Sequence, residues 1–235
     1  MEPADAEGVR LHGLEYTWPG MAAPTLVIDD WAAARGDTVF VQGPSGCGKS
    51  TLLGLLSGVL VAAPGMVSVL GTDWAALRGA ARDARRADDL GVIFQQFNLL
   101  PYLSVLDNVR LPCRFSARRA ARCTGGVDAA ARRLLASMEL PETLWLQPAA
   151  RLSVGQQQRV AAARALIGAP ALVLADEPTS ALDAALRDGF MAHLLEQVQA
   201  AGSTLIFVSH DERLAARFSR RLALPELNRA ARVPA

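Results

Sequence analysis

The apolar positions of this chain fall into two regimes. Residues 9–18 and 24–31 read as short strands. Thr38-Val39-Phe40-Val41-Gln42 is a continuous apolar run of the kind that fills a strand buried on both faces of a parallel sheet. Met66–Leu70 and Leu90–Phe94 are further strand candidates. From Gln95 to about Ala165 helical periodicity takes over, with Arg118, Arg119, Arg122, Arg132 and Arg133 placed on polar faces. Strands return at Ala171–Ala175 and Thr204–Val208, with a helix expected over Ala184–Ala200 between them. The tail after Arg220 is short and weakly patterned. Strands alternating with helices predict an α/β fold with a mostly parallel sheet and an inserted α-helical lobe.

Composition narrows the possibilities. The chain has 235 residues, 51% of them hydrophobic, which suits one domain of residues 1–235 with a core (about 1–94 and 166–235) and a lobe (about 95–165). Lys+Arg is 24 against Asp+Glu 23, a formal charge of +1, so no nucleic-acid partner is expected. The three cysteines, Cys47, Cys113 and Cys123, have no metal-ligand spacing and read as reduced thiols of a cytoplasmic protein. The start, MEPADAEG, lacks the basic and apolar regions of a signal peptide. Leu52–Thr72 carries no charge and is long enough to suggest a membrane span. Pro64-Gly65 interrupts it, and Gly54, Ser57 and Gly58 dilute it, so a buried helix followed by a strand is expected instead.

The strand at Thr38–Gln42 runs into Gly43-Pro44-Ser45-Gly46-Cys47-Gly48-Lys49-Ser50-Thr51, which matches G-x-x-x-x-G-K-[ST] and precedes a helix. Glycines let such a backbone approach phosphate oxygens, and its N–H groups form an anion nest at the positive end of the helix dipole. Lys49 supplies a compact charge for the β and γ phosphates, and the Ser50 hydroxyl can ligate Mg²⁺. The motif by itself specifies a nucleotide binder. A second element is Asp176-Glu177, at the end of the apolar run Ala171–Ala175. Carboxyl ends of buried parallel strands are where such sheets bind ligands. Asp176 is placed to hold Mg²⁺, and Glu177 to orient or deprotonate an attacking water. Without the phosphate loop the same pair would read as an acidic helix start.

Leu152-Ser153-Val154-Gly155-Gln156-Gln157-Gln158-Arg159 precedes a helical run to Ile167, and here the chain resembles the ATP-binding-cassette ATPases, whose signature is usually LSGGQ. The order of the other pieces agrees: phosphate loop, Phe94-Gln95-Gln96, signature, Leu174–Pro178, Ser180–Asp183, then Ser209-His210-Asp211. The resemblance covers nearly the whole chain. It implies a P-loop NTPase core with an antiparallel β part at the N-terminus, ATP hydrolysis with Mg²⁺ and a membrane permease as partner. It implies a homodimer in which Ser153, Val154, Gly155 and Gln156 of one protomer cover the ATP held by the other.

At matching positions the resemblance makes Gln95 the glutamine that senses Mg²⁺ and water, with Ser50 and Asp176 completing the metal set. Asp183 becomes the acidic residue that crosses the dimer interface, and His210 a contact to the γ-phosphate. Trp18 aligns with the aromatic residue that stacks on adenine, with Tyr16 as its competitor. His12 and His193 match no motif. Val154 departs from the usual glycine. A β-branched residue resists positive φ, so this backbone must be extended or helical, or binding is impaired.

The run Phe97–Leu106 is apolar for a segment beside a site, and part of it is expected to line a groove for a permease helix. FQQFNLLPYLSVLDNV is most similar to the lipoprotein-release and macrolide-export group, although TSALD stands where that group has a peptide closer to TGNLD. This sub-group implies a bacterial exporter or extractor, peripheral on the cytoplasmic face of the inner membrane. A non-transport cassette ATPase and an ATP-dependent regulatory scaffold at the membrane are the alternatives.

Overall fold

The computed structural model describes residues 7–180 and 182–232. Ala181, within the Ser180–Asp183 motif, and most of the N-terminal peptide read for targeting lie outside the described residues. In chain order the elements are β1 (Glu7–Tyr16), β2 (Leu26–Ala34), β3 (Thr38–Gln42), α1 (Lys49–Leu56), β4 (Val67–Val69), β5 (Thr72–Asp73), α2 (Gly79–Asp89) and β6 (Leu90–Ile93). There follow α3 (Val105–Phe115), α4 (Ala117–Arg122), α5 (Val127–Ser137), α6 (Val154–Leu166), β7 (Leu172–Asp176), α7 (Ala184–Ala200), β8 (Thr204–Val208), β9 (Arg220–Ala223) and α8 (Leu224–Leu227). Two compact units result. One combines the chain up to Arg86 with the chain from Thr204, and the other runs from Ala87 to Ser203.

The first unit contains two sets of strands. An antiparallel sheet has the order β2-β1-β4-β5. Its strands bury Val9, Leu11, Leu14, Leu26 and Ile28, as a half-covered antiparallel sheet requires. Beside it β3 pairs in parallel with β8 on one edge and β9 on the other. Val39, Phe40 and Val41 are buried, which explains the unbroken apolar run of β3. Phe40, Phe207 and Phe218 form an aromatic cluster with centroids 5.1–6.3 Å apart. The uncharged stretch from Leu52 becomes the rest of α1, a turn, and β4 with the start of β5. Its wall is the buried indole of Trp74, whose Nε1 donates to the Leu56 carbonyl at 3.1 Å. Among the described residues no helix is long and apolar enough to cross a membrane.

The tail after Arg220 is more ordered than its pattern suggests. β9 continues the parallel set, and α8 follows it directly. β9 is held at its start by Thr38 and Ser219, which exchange hydrogen bonds of 2.9–3.0 Å, and by Arg220 against Asp37 at 2.9 Å.

In the second unit β6 and β7 pair in parallel from Leu90↔Leu172 to Ile93↔Ala175. Helix α6 crosses them so closely that a Cβ on Gly91 would lie 2.3 Å from the Ala165 carbonyl oxygen, so only glycine fits there. Arg119 does not lie on a polar face as its periodicity suggests. It is 2% exposed, and its guanidinium donates to the carbonyls of Leu90, Ala165 and Ile167. These include carbonyls at the end of α6 that no later helical turn satisfies, which is why an arginine is buried there. Burial pushes its pKa down to about 10, so it stays charged at neutral pH. Cys113 and Cys123 are free thiols with sulfurs 3.8 Å apart, and burial followed by the Cys123 charge pushes Cys113 up to about 12.

Candidate functional site

In the first unit the phosphate-loop residues occupy the turn between β3 and α1. Gly46 and Gly48 have φ of 82° and 102°, in the region that L side chains avoid. A Cβ on Gly48 would also lie 2.7 Å from Leu26 Cδ2, and one on Gly43 would lie 2.6 Å from the Cys47 sulfur. Gly48 therefore demands glycine, whereas a side chain at Gly43 would make the Cys47 thiol turn away. Gly48 is the N-cap of α1, and it offers no side-chain cap to the first-turn N–H groups. N–H groups at such a helix start point toward where an anion would sit. Ser45 and Ser50 are exposed, while Lys49 is buried, its ammonium donating to the carbonyls of Gly43 at 2.7 Å and Pro44 at 2.9 Å.

Trp18 lies just beyond β1, 40% exposed, and its Nε1 donates to Thr51 Oγ1 at 3.2 Å. Tyr16 meets the Trp18 ring edge-to-face at 5.7 Å and is the less exposed of the two. The structure thus brings Trp18 onto the helix that carries Lys49 and Ser50. His210 follows β8, in register beside β3 (Val41↔Val208), so His210 and Gly43 leave the same edge of neighbouring parallel strands. Beside it Ser209 Oγ accepts from Asp211 N at 3.1 Å.

The second unit gathers the remaining candidates. Gln95 follows β6, and Asp176-Glu177 closes β7. Because Ile93 is paired with Ala175, the glutamine and the carboxylates also leave one common edge. Glu177 has φ 43°, a left-handed conformation that a non-glycine residue adopts only where its surroundings enforce it. Phe97 and Asn98 are also left-handed, at 59° and 48°. Arg164 of α6 holds both, donating to the Phe97 and Asn98 carbonyls at 2.6 Å each. No sequence motif covers Arg164, which sits on the helix after the signature. Burial lowers its pKa.

The signature peptide begins α6. Ser153 is its N-cap, and with Gln156 it forms a reciprocal capping box: Ser153 Oγ accepts from Gln156 N at 3.4 Å, and Gln156 Oε1 accepts from Ser153 N at 3.0 Å. Val154 is the first helical residue, so it needs no positive φ, and it is 48% exposed. Asp183 caps α7 through a hydrogen bond from Leu186 N at 2.9 Å. The apolar run after Gln95 divides: Phe97, Val105 and Leu106 are core, whereas Tyr102 is 75% exposed. Buried Asn108 fixes the bend by accepting from Leu100 N and donating to the carbonyls of Leu100 and Ser104. His12 and His193 face Asp30 and Glu139 at 3.3 and 3.5 Å, outside both groups.

The family described as ABC transporter matches residues 29–180. The chain belongs to the ABC transporter family. The cassette is 41% identical over 194 residues to the lipoprotein-releasing system ATP-binding protein LolD of Novosphingobium aromaticivorans, covering 81% of this chain and 83% of that protein. It is 40% identical over 221 residues to LolD of Anaeromyxobacter dehalogenans, covering 93% and 91%. Among solved structures it is similar to the dimeric post-hydrolysis state of the ATP-binding cassette MJ0796 bound to ADP and Pi, with TM-score 0.78, 32% identity and coverage of 92% and 94%. The cassette is accordingly an ATP-binding and ATP-hydrolysing module with a P-loop NTPase fold.

Proposed function

We propose that residues 1–235 form a single ABC ATPase domain that powers a bacterial exporter or extractor of the lipoprotein-releasing kind, working with a separate permease. The observation that carries this reading is the exposed signature at the start of α6. Its serine is fixed as a cap, and its valine is helical rather than strained. A surface prepared in this way suits a second copy. The cassette pairs through its nucleotide sites, so that Ser153, Val154, Gly155 and Gln156 meet the ATP bound at Gly43–Thr51 of the other protomer, with Asp183 at the interface. A dimeric cassette among its structural relatives and LolD among its sequence relatives support the assignment.

In this reading the loop amides and Lys49 bind the phosphates, and Trp18 stacks on adenine with Tyr16 supporting its edge. Glu177 orients and deprotonates the attacking water, Gln95 helps position it, and His210 meets the γ-phosphate. The oxygen donors Ser50, Asp176 and Gln95 suit a hard cation, and these residues would hold Mg²⁺. When bound, Mg²⁺ offsets negative charge on the phosphates. Trp18→Ala is expected to weaken ATP binding by roughly 1–3 kcal/mol, the scale of base–aromatic stacking. Its exposure predicts an unchanged melting temperature. Calorimetric titration beside a thermal melt checks both, and a loss found with Tyr16→Ala instead would move the stacking role.

The permease approaches the side of Tyr102 and holds the cassette at the cytoplasmic face of the inner membrane. Fractionation of cells tests this. The chain is expected with membranes when its permease is present and in the supernatant when the permease genes are deleted. Retention on membranes without any candidate permease would refute attachment through a partner.

A further inference from the structure

The phosphate loop has a second support that no sequence motif announces. β9 lies beside β3 with Gln42↔Ala223 in register, so the phosphate loop and α8 leave the sheet side by side. Pro225 of α8 packs on the start of the loop. A Cβ added to Gly43 would come within 3.1 Å of its Cδ. At the end of α8 stands Asn228, a polar side chain only 2% exposed. Its side-chain oxygen accepts from Val27 N at 2.8 Å and Ala230 N at 3.1 Å. Its side-chain nitrogen donates to the Thr25 carbonyl at 2.9 Å and to the Cys47 carbonyl at 3.4 Å. Two donors on one side and two acceptors on the other fix which way the amide points.

The Cys47 carbonyl is the important partner. A trans peptide is planar, and its carbonyl and the following N–H point in opposite directions. Holding the Cys47 oxygen from the outside of the loop therefore aims the Gly48 N–H to the inside. Gly48 is the N-cap of α1 and has the loop's largest φ, 102°. Glycine is the residue whose backbone is least constrained by itself, so its orientation has to come from neighbours. Leu26 Cδ2 blocks one side of Gly48, and Asn228 also secures the chain at Thr25 and Val27 that delivers Leu26.

We propose that Asn228 is a positioning residue for nucleotide binding, which orients the Gly48 N–H toward the phosphates by holding the Cys47 carbonyl and the start of β2. This rests on the phosphate-loop reading of Gly43–Thr51. An interaction that acts on bound phosphate before and during reaction alters binding more than turnover.

The experiment is steady-state ATP hydrolysis with ADP as inhibitor, on the full chain, for Asn228→Ala, Asn228→Asp, Arg229→Ala and Lys49→Ala. Asn228→Asp keeps the acceptor for Val27 N and Ala230 N and loses donation to the Thr25 and Cys47 carbonyls. Arg229, on the same tail, pairs with Asp29 of β2 and touches no loop residue through that pair, so it reports general loosening. For both Asn228 variants KM for ATP and Ki for ADP are expected to rise together by about three- to tenfold, the scale of one or two lost hydrogen bonds. Over the same comparison kcat stays within about twofold, and Arg229→Ala behaves as wild type. Unchanged KM and Ki in the Asn228 variants, with Lys49→Ala inactive, overturns the proposal and leaves the phosphate loop standing. Turnover in Lys49→Ala removes the reading beneath it. An equal rise in KM for Arg229→Ala, a fall in kcat alone, or failure of both Asn228 variants to fold would each assign Asn228 to tail stability and overturn the positioning role.

Discussion

Glu177→Gln is expected to lower ATP turnover by about 10²–10⁴-fold, the usual contribution of general-base assistance. The substitution keeps shape and removes the carboxylate that would accept the proton. ATP binding is expected to survive, because the proposed reading assigns the phosphates to Lys49 and the loop amides rather than to Glu177. Removing a negative charge also removes repulsion toward the γ-phosphate. The variant is therefore expected to accumulate as a closed pair with ATP trapped between the phosphate loop of one protomer and Ser153 of the other. Size-exclusion chromatography with light scattering, run with ATP and with ADP, reads this directly. A dimer formed with ATP alone supports the composite site. Full activity in Glu177→Gln would remove its catalytic role, and an inactive variant that binds ATP as a monomer would refute self-pairing. The left-handed backbone at Glu177, φ 43°, adds a control. Glutamine meets the same backbone cost as glutamate, so a change in melting temperature is not expected.

Lys49→Ala is expected to abolish hydrolysis and to weaken nucleotide binding greatly. Each charge-assisted hydrogen bond is worth about 1.5–3 kcal/mol, and the ammonium can make more than one to the phosphates. Arginine is not expected to restore activity, since a planar fork does not fit where a compact ammonium turns back to the Gly43 and Pro44 carbonyls. Turnover in purified protein and equilibrium ATP binding check both statements. Normal turnover in Lys49→Ala would end the phosphate-loop assignment.

Legibility differed from element to element for physical reasons. β3, β8 and α7 stand where their patterns place them, because a buried parallel strand is apolar throughout and a long helix repeats its period. β9 was hidden. Of its four residues only Leu222 is buried, and Arg220 and Arg221 make an edge strand look like a polar tail. Helix α2 carries no sequence assignment, since Asp89 is its one buried residue and its arginines and aspartates leave it too polar to read as core-facing. Arg119 was misplaced because periodicity reports which face a residue is on, while a buried cluster of carbonyls can draw a guanidinium inward. In the site, the departure at Val154 was readable as a constraint on φ, and the N1 position on α6 satisfies that constraint. Arg164 and Asn228 were illegible, because each acts on main-chain carbonyls distant in sequence, and such contacts leave no local pattern.

The grip of Arg164 makes α6 a mechanical element. Ser153 caps one end of the helix, and Arg164, near the other end, is bonded to the carbonyls of the left-handed pair that follows Gln95. Eleven residues at 1.5 Å give an arm of about 16 Å between these points. The loop after Gln95 cannot shift without breaking two short hydrogen bonds or turning the arm. By that same helical geometry, a turn of about 10° would displace the tip at Ser153 by about 3 Å, which is the length of a hydrogen bond. A shift beside Gln95 that turned this arm would be magnified at the far end of the helix.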